Sequence, residues 1–324
     1  MYKAFYNLKR NPFEITPDPS FLFPTRKHNE ALAALYYGVR RHKGFVVLTG
    51  EVGTGKTLLL RCLLQLLKRN NDVTYAYVFN GRLTPLEFLQ YVAGDFGLNA
   101  AGRNKGELLL DLASYVIGRS QKNLTTVLVV DEAHHLSADI LEEIRLLTNL
   151  ETAQEKLLQI LLVGQPELDE KLDSVELRQL KQRIAFRAQL SPLDLNETTG
   201  YIERRLQLAG ANEEASFLFP AQTIAAVHRH SGGIPRLINT VCENALIASY
   251  AKQARTVTAD VIEHIAKDFR LGVVQKTWTP AQNLTDDADT RRAAKTLLDL
   301  YAFLQKSSER GTEMPPIIGP VRKQ

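Results

Sequence analysis

The stretch Gly50-Glu51-Val52-Gly53-Thr54-Gly55-Lys56-Thr57 fits the spacing G-x-x-x-x-G-K-[ST], the pattern of a loop that wraps phosphate. Its flanks suit that role. Phe45-Val46-Val47-Leu48-Thr49 before it is a short apolar run with β-branched residues, which reads as a buried strand. Residues 58–67 after it are apolar except for Arg61 and Gln65. With Lys68 these two make one narrow wet stripe on an otherwise buried helix. Glycines at 50, 53 and 55 permit a tight turn that brings backbone N–H groups onto phosphate oxygens. The helix start adds unpaired N–H groups and the positive end of its dipole. In such a loop Lys56 reaches the β- and γ-phosphates and the Thr57 hydroxyl ligates magnesium.

Working outward, the next strong signal is Thr125-Thr126-Val127-Leu128-Val129-Val130-Asp131-Glu132, an apolar strand ending in two carboxylates. This is the Walker B pattern: Asp131 holds the magnesium shell, and Glu132 orients and polarises an attacking water. Asp131-Glu132-Ala133-His134 also spells the DEAH of some helicases, but no second motor domain is visible, so the spelling reads as coincidence. His134 and His135 are adjacent, would diverge on a helix, and make a poor metal pair; His228 and His230 share that fault. Residues 138–151 read as a helix, and residues 157–163 as another buried strand that delivers Gly164-Gln165-Pro166. Gln165 at that strand end would face the γ-phosphate as a sensor; the alternative is a turn residue before proline.

Residues 73–79 form a further strand closing on Asn80-Gly81, and residues 85–96 and 106–119 have helical spacing. Residues 177–184 read as a helix bearing Arg178, Lys181 and Arg183, followed by a strand at 185–190. Strands alternating with helices specify a parallel sheet with helices on both faces. From Ser191 the pattern is wholly helical, with helices at 195–208, 221–230, 235–251 and 258–269. Arg236 follows Pro235 at a helix start, where a cation opposes the dipole. That placement makes sense if its guanidinium faces a phosphate; the alternative is an ordinary solvated arginine.

The first 26 residues carry Pro12, Pro17, Pro19 and Pro24 among Phe5, Tyr6, Phe13, Phe21 and Phe23. They read as extended chain pinned to a surface by its rings, with a nucleotide-base clamp or a subunit contact as the functional alternative. A helix over 28–41 follows. Residues 271–289 have the composition of a linker, residues 290–306 the spacing of an amphipathic helix, and residues 311–324 that of a disordered tail. The expected division is therefore 1–42, an N-terminal segment and helix; 43–190, an α/β core; 191–270, a helical lid; and 271–324, linker, helix and tail.

Composition sets the outer bounds. At 324 residues the chain holds one to two compact units, and 44% hydrophobic with 23% charged residues is ordinary for a soluble globular protein. A net charge of +4 permits an acidic partner such as nucleic acid without demanding one. Cys62 and Cys242 form no C-x-x-C pair and read as buried free thiols. With no signal-peptide pattern and no apolar run long enough to span a membrane, the expected location is the cytoplasm.

Taken together, the phosphate loop, Asp131-Glu132, Gln165, a later arginine and Gly233-Ile234-Pro235-Arg236 resemble an AAA+ ATPase. Asn11-Pro12-Phe13 with Thr16-Pro17-Asp18-Pro19, and Gly164-Gln165-Pro166-Glu167-Leu168, are similar to the general secretion pathway protein A family over residues 1–270. ATPases of exopolysaccharide export loci and, more distantly, MuB- and TniB-type transposition helpers are related to that family. The resemblance implies ATP and Mg2+ as cofactors, Arg183 as an arginine finger reaching a neighbouring subunit, Arg236 as sensor 2, and Asn80 as the restraint on Glu132. Members typically continue into a transmembrane helix and a periplasmic peptidoglycan-binding part; neither is visible here, which leaves a cytosolic motor or switch. The expected function is Mg-ATP hydrolysis between subunits of a homo-oligomeric ring or filament, driving a secretion or export partner. Rival readings are a DNA-binding transposition or replication helper, a small-molecule kinase, and a non-hydrolysing switch, the last disfavoured by Glu132.

Overall fold

The computed structural model describes residues 2–69, 71–79, 81–211 and 217–271. Asn80, the linker, the expected helix over 290–306 and the tail lie outside these residues. In chain order the helices are α1 Tyr2–Phe5, α2 Arg26–Arg40, α3 Lys56–Lys68, α4 Pro85–Asp95, α5 Lys105–Ser120, α6 Ala138–Leu147, α7 Glu167–Leu172, α8 Arg178–Lys181, α9 Leu195–Leu208, α10 Ala221–Ser231, α11 Pro235–Ala251 and α12 Ala259–Asp268. The strands are β1 Phe45–Gly50, β2 Val73–Val78, β3 Thr125–Val130, β4 Leu158–Gly164 and β5 Ile184–Leu190.

The strands form one parallel sheet in the order β2-β3-β4-β1-β5. Successive side chains of a strand point to opposite faces, and both faces are covered. Phe45, Val47, Leu128, Val130, Ile160 and Leu162 pack with α4 to α8, whereas Val46, Leu48, Val127, Val129, Leu161 and Val163 pack with α2 and α3. This explains why the three central strands read as unbroken apolar runs. Because all run the same way, the loops leaving β3, β4 and β1 lie side by side at one edge, the place where open α/β sheets bind ligands.

Helices α9 to α12 share a separate core around Val227, Ile238, Cys242 and Leu246. The N-terminal segment belongs to this core: Tyr2, Tyr6, Leu8 and Phe13 are buried in it, and the Phe13 ring meets Phe219 edge-on at 5.8 Å. The segment is not wholly extended as the prolines suggest. It starts with the short α1 and includes a 3-10 turn at Pro19–Phe21, whose start is capped by Asp18 accepting from the Ser20 N–H at 2.8 Å.

Two core helices are shorter than their spacing predicts. Helix α6 ends at Leu147 rather than at 151: the Thr148 hydroxyl bonds back to the Arg145 carbonyl, and the chain turns into a bridge between Glu151 and Lys156. Helix α8 is a single turn, and Ile184 has left it to pair beside Phe45 at the start of β5.

Candidate active site

The phosphate-loop pattern occupies the bend from β1 into α3. Gly53 and Gly55 adopt φ of +83° and +103°, in the left-handed region where a side chain is disfavoured. Gly53 also lies under the lid: a Cβ there would stand 2.7 Å from the Arg236 Cβ. The backbone N–H of Arg236 donates to the Gly53 carbonyl at 3.2 Å, so lid and loop touch directly. Beneath the loop is His28, whose Nε2 meets the Thr54 carbonyl at 3.2 Å and whose Nδ1 meets the Thr25 hydroxyl at 2.7 Å. The neutral ring with its proton on Nε2 satisfies both contacts, and burial pushes its pKa below the ordinary value.

Lys56 is 7% exposed and donates to the carbonyls of Gly50 and Glu51 at 2.7 and 2.9 Å. An ammonium has three N–H donors, so one stays free for an anion. Burial lowers its pKa, against the pull of Glu132, Asp131, Glu51 and Glu167. The Thr57 hydroxyl lies 3.3 Å from Asp131 Oδ2, and the Tyr77 hydroxyl donates to that same oxygen at 2.8 Å. Burial, followed by the Asp131 charge, raises the Tyr77 pKa. No local pattern in the sequence marks Tyr77, because only its pairing beside Val129 in the sheet brings it near the end of β3.

Glu132 has φ of 52°, unusual for a residue with a side chain. It opens a 3-10 turn, Ala133–His135, rather than a regular helix. That corrects the expectation for the two histidines: their rings lie at 39° with centroids 4.0 Å apart instead of diverging. Glu132, His134 and His135 thus bring potential ligand atoms within 4.8 Å of one another. The ring of His134 is already engaged by Gln165, through 2.9 Å between its Nε2 and the side-chain amide nitrogen, so a metal there would have to displace that contact. His228 and His230 do separate, towards Thr198 and Glu263.

A cavity of about 410 Å³ is lined by the loop, Lys56, Thr57, Glu132 and Gln165 on one side and by Arg236, Tyr201, Arg205 and Asn239 of the lid on the other. Ile15, Thr16, Pro17 and Asp18 complete it, so the N-terminal segment packs against the lid and also lines the site. The Arg61 guanidinium holds the Pro17 carbonyl at 2.7 Å, while Arg205 holds that of Pro12 at 2.8 Å. The signal was the polar stripe on α3, where Arg61 interrupts an apolar helix. Arg183 is not among the residues lining the cavity; it is half-buried and donates to the Thr148 hydroxyl at 2.9 Å. Thr57 and Asp131 supply hard oxygen donors of the kind that magnesium takes.

An AAA domain model matches residues 39–172. General secretion pathway protein A of Aeromonas hydrophila is 43% identical over 258 residues, which is 79% of this chain and 46% of that protein. The chain is an AAA+ P-loop protein similar to general secretion pathway protein A. The ATP-dependent target DNA activator B of Escherichia phage Mu is 33% identical over 105 residues, 32% of this chain and 31% of that one. The chain therefore spans less than half the length of the curated relatives it matches. Among solved structures, the ORC2 protein of Aeropyrum pernix superposes with a TM-score of 0.61 at 18% identity, covering 80% of this AAA+ chain and 72% of its own, a likeness of fold. No helix among the described residues is long and apolar enough to cross a membrane.

Proposed function

We propose that this AAA+ protein hydrolyses Mg-ATP as a homo-oligomeric ring or filament in the cytoplasm and drives a conformational change in a secretion or polysaccharide-export partner. The observation that carries the reading is the convergence of Lys56, Thr57, Asp131, Glu132 and Gln165 at the carboxyl edge of β1, β3 and β4, beneath Arg236. Similarity to general secretion pathway protein A favours the partner class.

In this mechanism Gly50 to Thr57 wrap the phosphates, and the free N–H of Lys56 meets the γ-phosphate. Thr57 and Asp131 hold the magnesium ion, which when bound neutralises charge on the phosphates. Tyr77 fixes the Asp131 carboxylate through its hydrogen bond. Glu132 orients water for attack, with Gln165 reading the γ-phosphate and Arg236 reading it from the lid. Asn80 is assigned the restraint on Glu132 through the family resemblance.

Arg183 completes the site of the neighbouring subunit. Its position outside its own cavity is compatible with that role, and an arginine supplied in trans is worth about 10³–10⁵ in rate. Specific activity should rise with protein concentration until assembly saturates. Arg183→Ala should bind ATP and hydrolyse it poorly, and mixing it with Glu132→Gln should restore activity at interfaces that pair the intact residues. A flat profile from a monomer, with normal turnover in Arg183→Ala, would sink the in-trans mechanism and favour the kinase reading.

A second reading, a DNA-dependent helper, is favoured by the similarity to the phage Mu activator. Hydrolysis stimulated by duplex DNA, and losing that stimulation steeply with added salt, would select it.

A further inference from the structure

The ring of His134 joins two groups that the sequence places on different strands. Its side chain is 8% exposed, and its Nδ1 lies 3.5 Å from Glu132 Oε2. Gln165 meets it twice: the backbone N–H lies 3.4 Å from that same Nδ1, and on the other side the side-chain amide lies 2.9 Å from Nε2. A neutral imidazole donates through one nitrogen and accepts through the other, and a glutamine amide can turn to present either its oxygen or its NH₂. With its proton on Nδ1 the ring faces Glu132 as a donor while Nε2 accepts from the Gln165 NH₂, and this is the tautomer that joins the two residues; with the proton on Nε2, Nδ1 accepts the Gln165 N–H and no hydrogen bond to Glu132 is left.

The ring is itself held in place. Lys171 donates to the carbonyls of His134 and Leu136, both at 2.7 Å, which pins the 3-10 turn to α7. The ring of His135 lies beside it, the centroids 4.0 Å apart. Burial, then the neighbouring His135, keeps the His134 pKa below its ordinary value.

We infer that His134 is a positioning residue that fixes Glu132 and Gln165 relative to each other, so that the water-orienting carboxylate and the γ-phosphate sensor move as one unit. This rests on the hydrolytic reading of the site. Glu132 sits on the loop after β3 and Gln165 on the loop after β4, and each could adopt its own rotamer without the ring between them. Misplacing a group by about 1 Å can lower a rate a hundredfold, so a buried ring that sets their separation has leverage on turnover.

The test compares His134→Phe, His134→Gln and His134→Asn. Glutamine restores a polar group near the Nε2 position, facing Gln165; asparagine restores one near Nδ1, facing Glu132. We expect His134→Phe to bind ATP within about twofold of the parent while kcat falls about tenfold to a hundredfold. His134→Gln should recover part of that loss and His134→Asn less. Loss of kcat in the double variant His134→Phe with Gln165→Ala should fall well short of the product of the two single losses. Equal kcat in His134→Phe and the parent, or multiplicative losses in the double variant, would overturn the inference.

A second readout does not depend on turnover. The ring nitrogen resonances of His134 in the full chain should shift on Gln165→Ala and again on Glu132→Gln. If neither substitution moves them, the linkage is wrong whatever the ATPase result. A parent chain that binds ATP without hydrolysing it would overturn the hydrolytic reading, and the ring resonances would still decide the linkage.

Discussion

The α/β core and the helical lid are both well packed, yet they are put together in opposite ways. In the core, β1, β3 and β4 are largely apolar strands buried on both faces; Glu132 and Gln165 sit within two residues of a strand end, and Lys56 and Thr57 open the helix that follows β1. In the lid, the helices bury a core completed by the first residues of the chain, which carry none of the phosphate chemistry. One region concentrates reactive groups at the ends of rigid strands; the other uses long-range contacts to shape the far wall of the cavity. A change in the first should therefore act on chemistry with little effect on folding, and a change in the second should do the reverse.

The largest effect tests the first half of that comparison. Lys56→Ala should abolish tight ATP binding, and Glu132→Gln should retain binding while turnover falls by roughly 10³ or more, removal of a water-activating group being the cause. Both variants should melt close to the parent. If Glu132→Gln turns over ATP at the parent rate, Glu132 is not the group that orients water.

Next comes the strap between lid and core. Phe13 is 1% exposed against Phe219, and Phe13→Ala should destabilise the protein by about 3–5 kcal/mol in chemical denaturation. Removing residues 2–13 should act in the same direction and more strongly, because Tyr2, Tyr6 and Leu8 go with it. A deletion variant with an unchanged melting curve would mean that the lid core is complete without them.

A smaller effect is expected at the strand pair that carries Asp131, the carboxylate proposed to hold magnesium. Tyr77→Phe removes the hydrogen bond to Asp131, and a bond to a charged group contributes about 1.5–3 kcal/mol. The concentration of magnesium needed for half-maximal hydrolysis should rise about tenfold, with the ATP-saturated rate at high magnesium little changed. An unchanged magnesium requirement would show that Tyr77 only fills space.

The smallest effect is on pH dependence. The folded pKa of His28 lies below its ordinary value of 6.5, so between the two values the unfolded chain holds a proton that the folded chain does not. This contribution is absent above that window, and stability falls as pH is lowered through it. His28→Gln should be less stable at neutral pH but show a shallower loss between pH ~7 and pH ~5, read by denaturant midpoints. Parallel curves for the two proteins would assign the pH dependence to other groups.

The same contrast explains what the sequence could disclose. Strands β1, β3 and β4 were legible because burial on both faces leaves an uninterrupted apolar signal, and the loop glycines, Asp131, Glu132 and Gln165 sit directly behind it. The AAA+ fold followed from that order and from the resemblance. Lateral relations were hidden: Tyr77 reaches Asp131 because β2 lies beside β3, and His134 meets Gln165 because β3 lies beside β4. Local spacing also overstated α6 and α8, where the Thr148 hydroxyl and the pairing of Ile184 decide the boundaries. The attachment of Tyr2 and Phe13 to the lid was beyond any local window.

That attachment has a consequence for how the protein is made. The Tyr6 hydroxyl donates to the Ala254 carbonyl, a partner 248 residues later in the chain. At ordinary translation speeds the two are synthesised on the order of tens of seconds apart. Strands β1 to β5 can pair during that interval, while the partners of the aromatic segment around Tyr6 are still to be made. Until the lid helices emerge, Tyr2, Tyr6, Leu8 and Phe13 lack the core that covers them, so this part of the fold closes last.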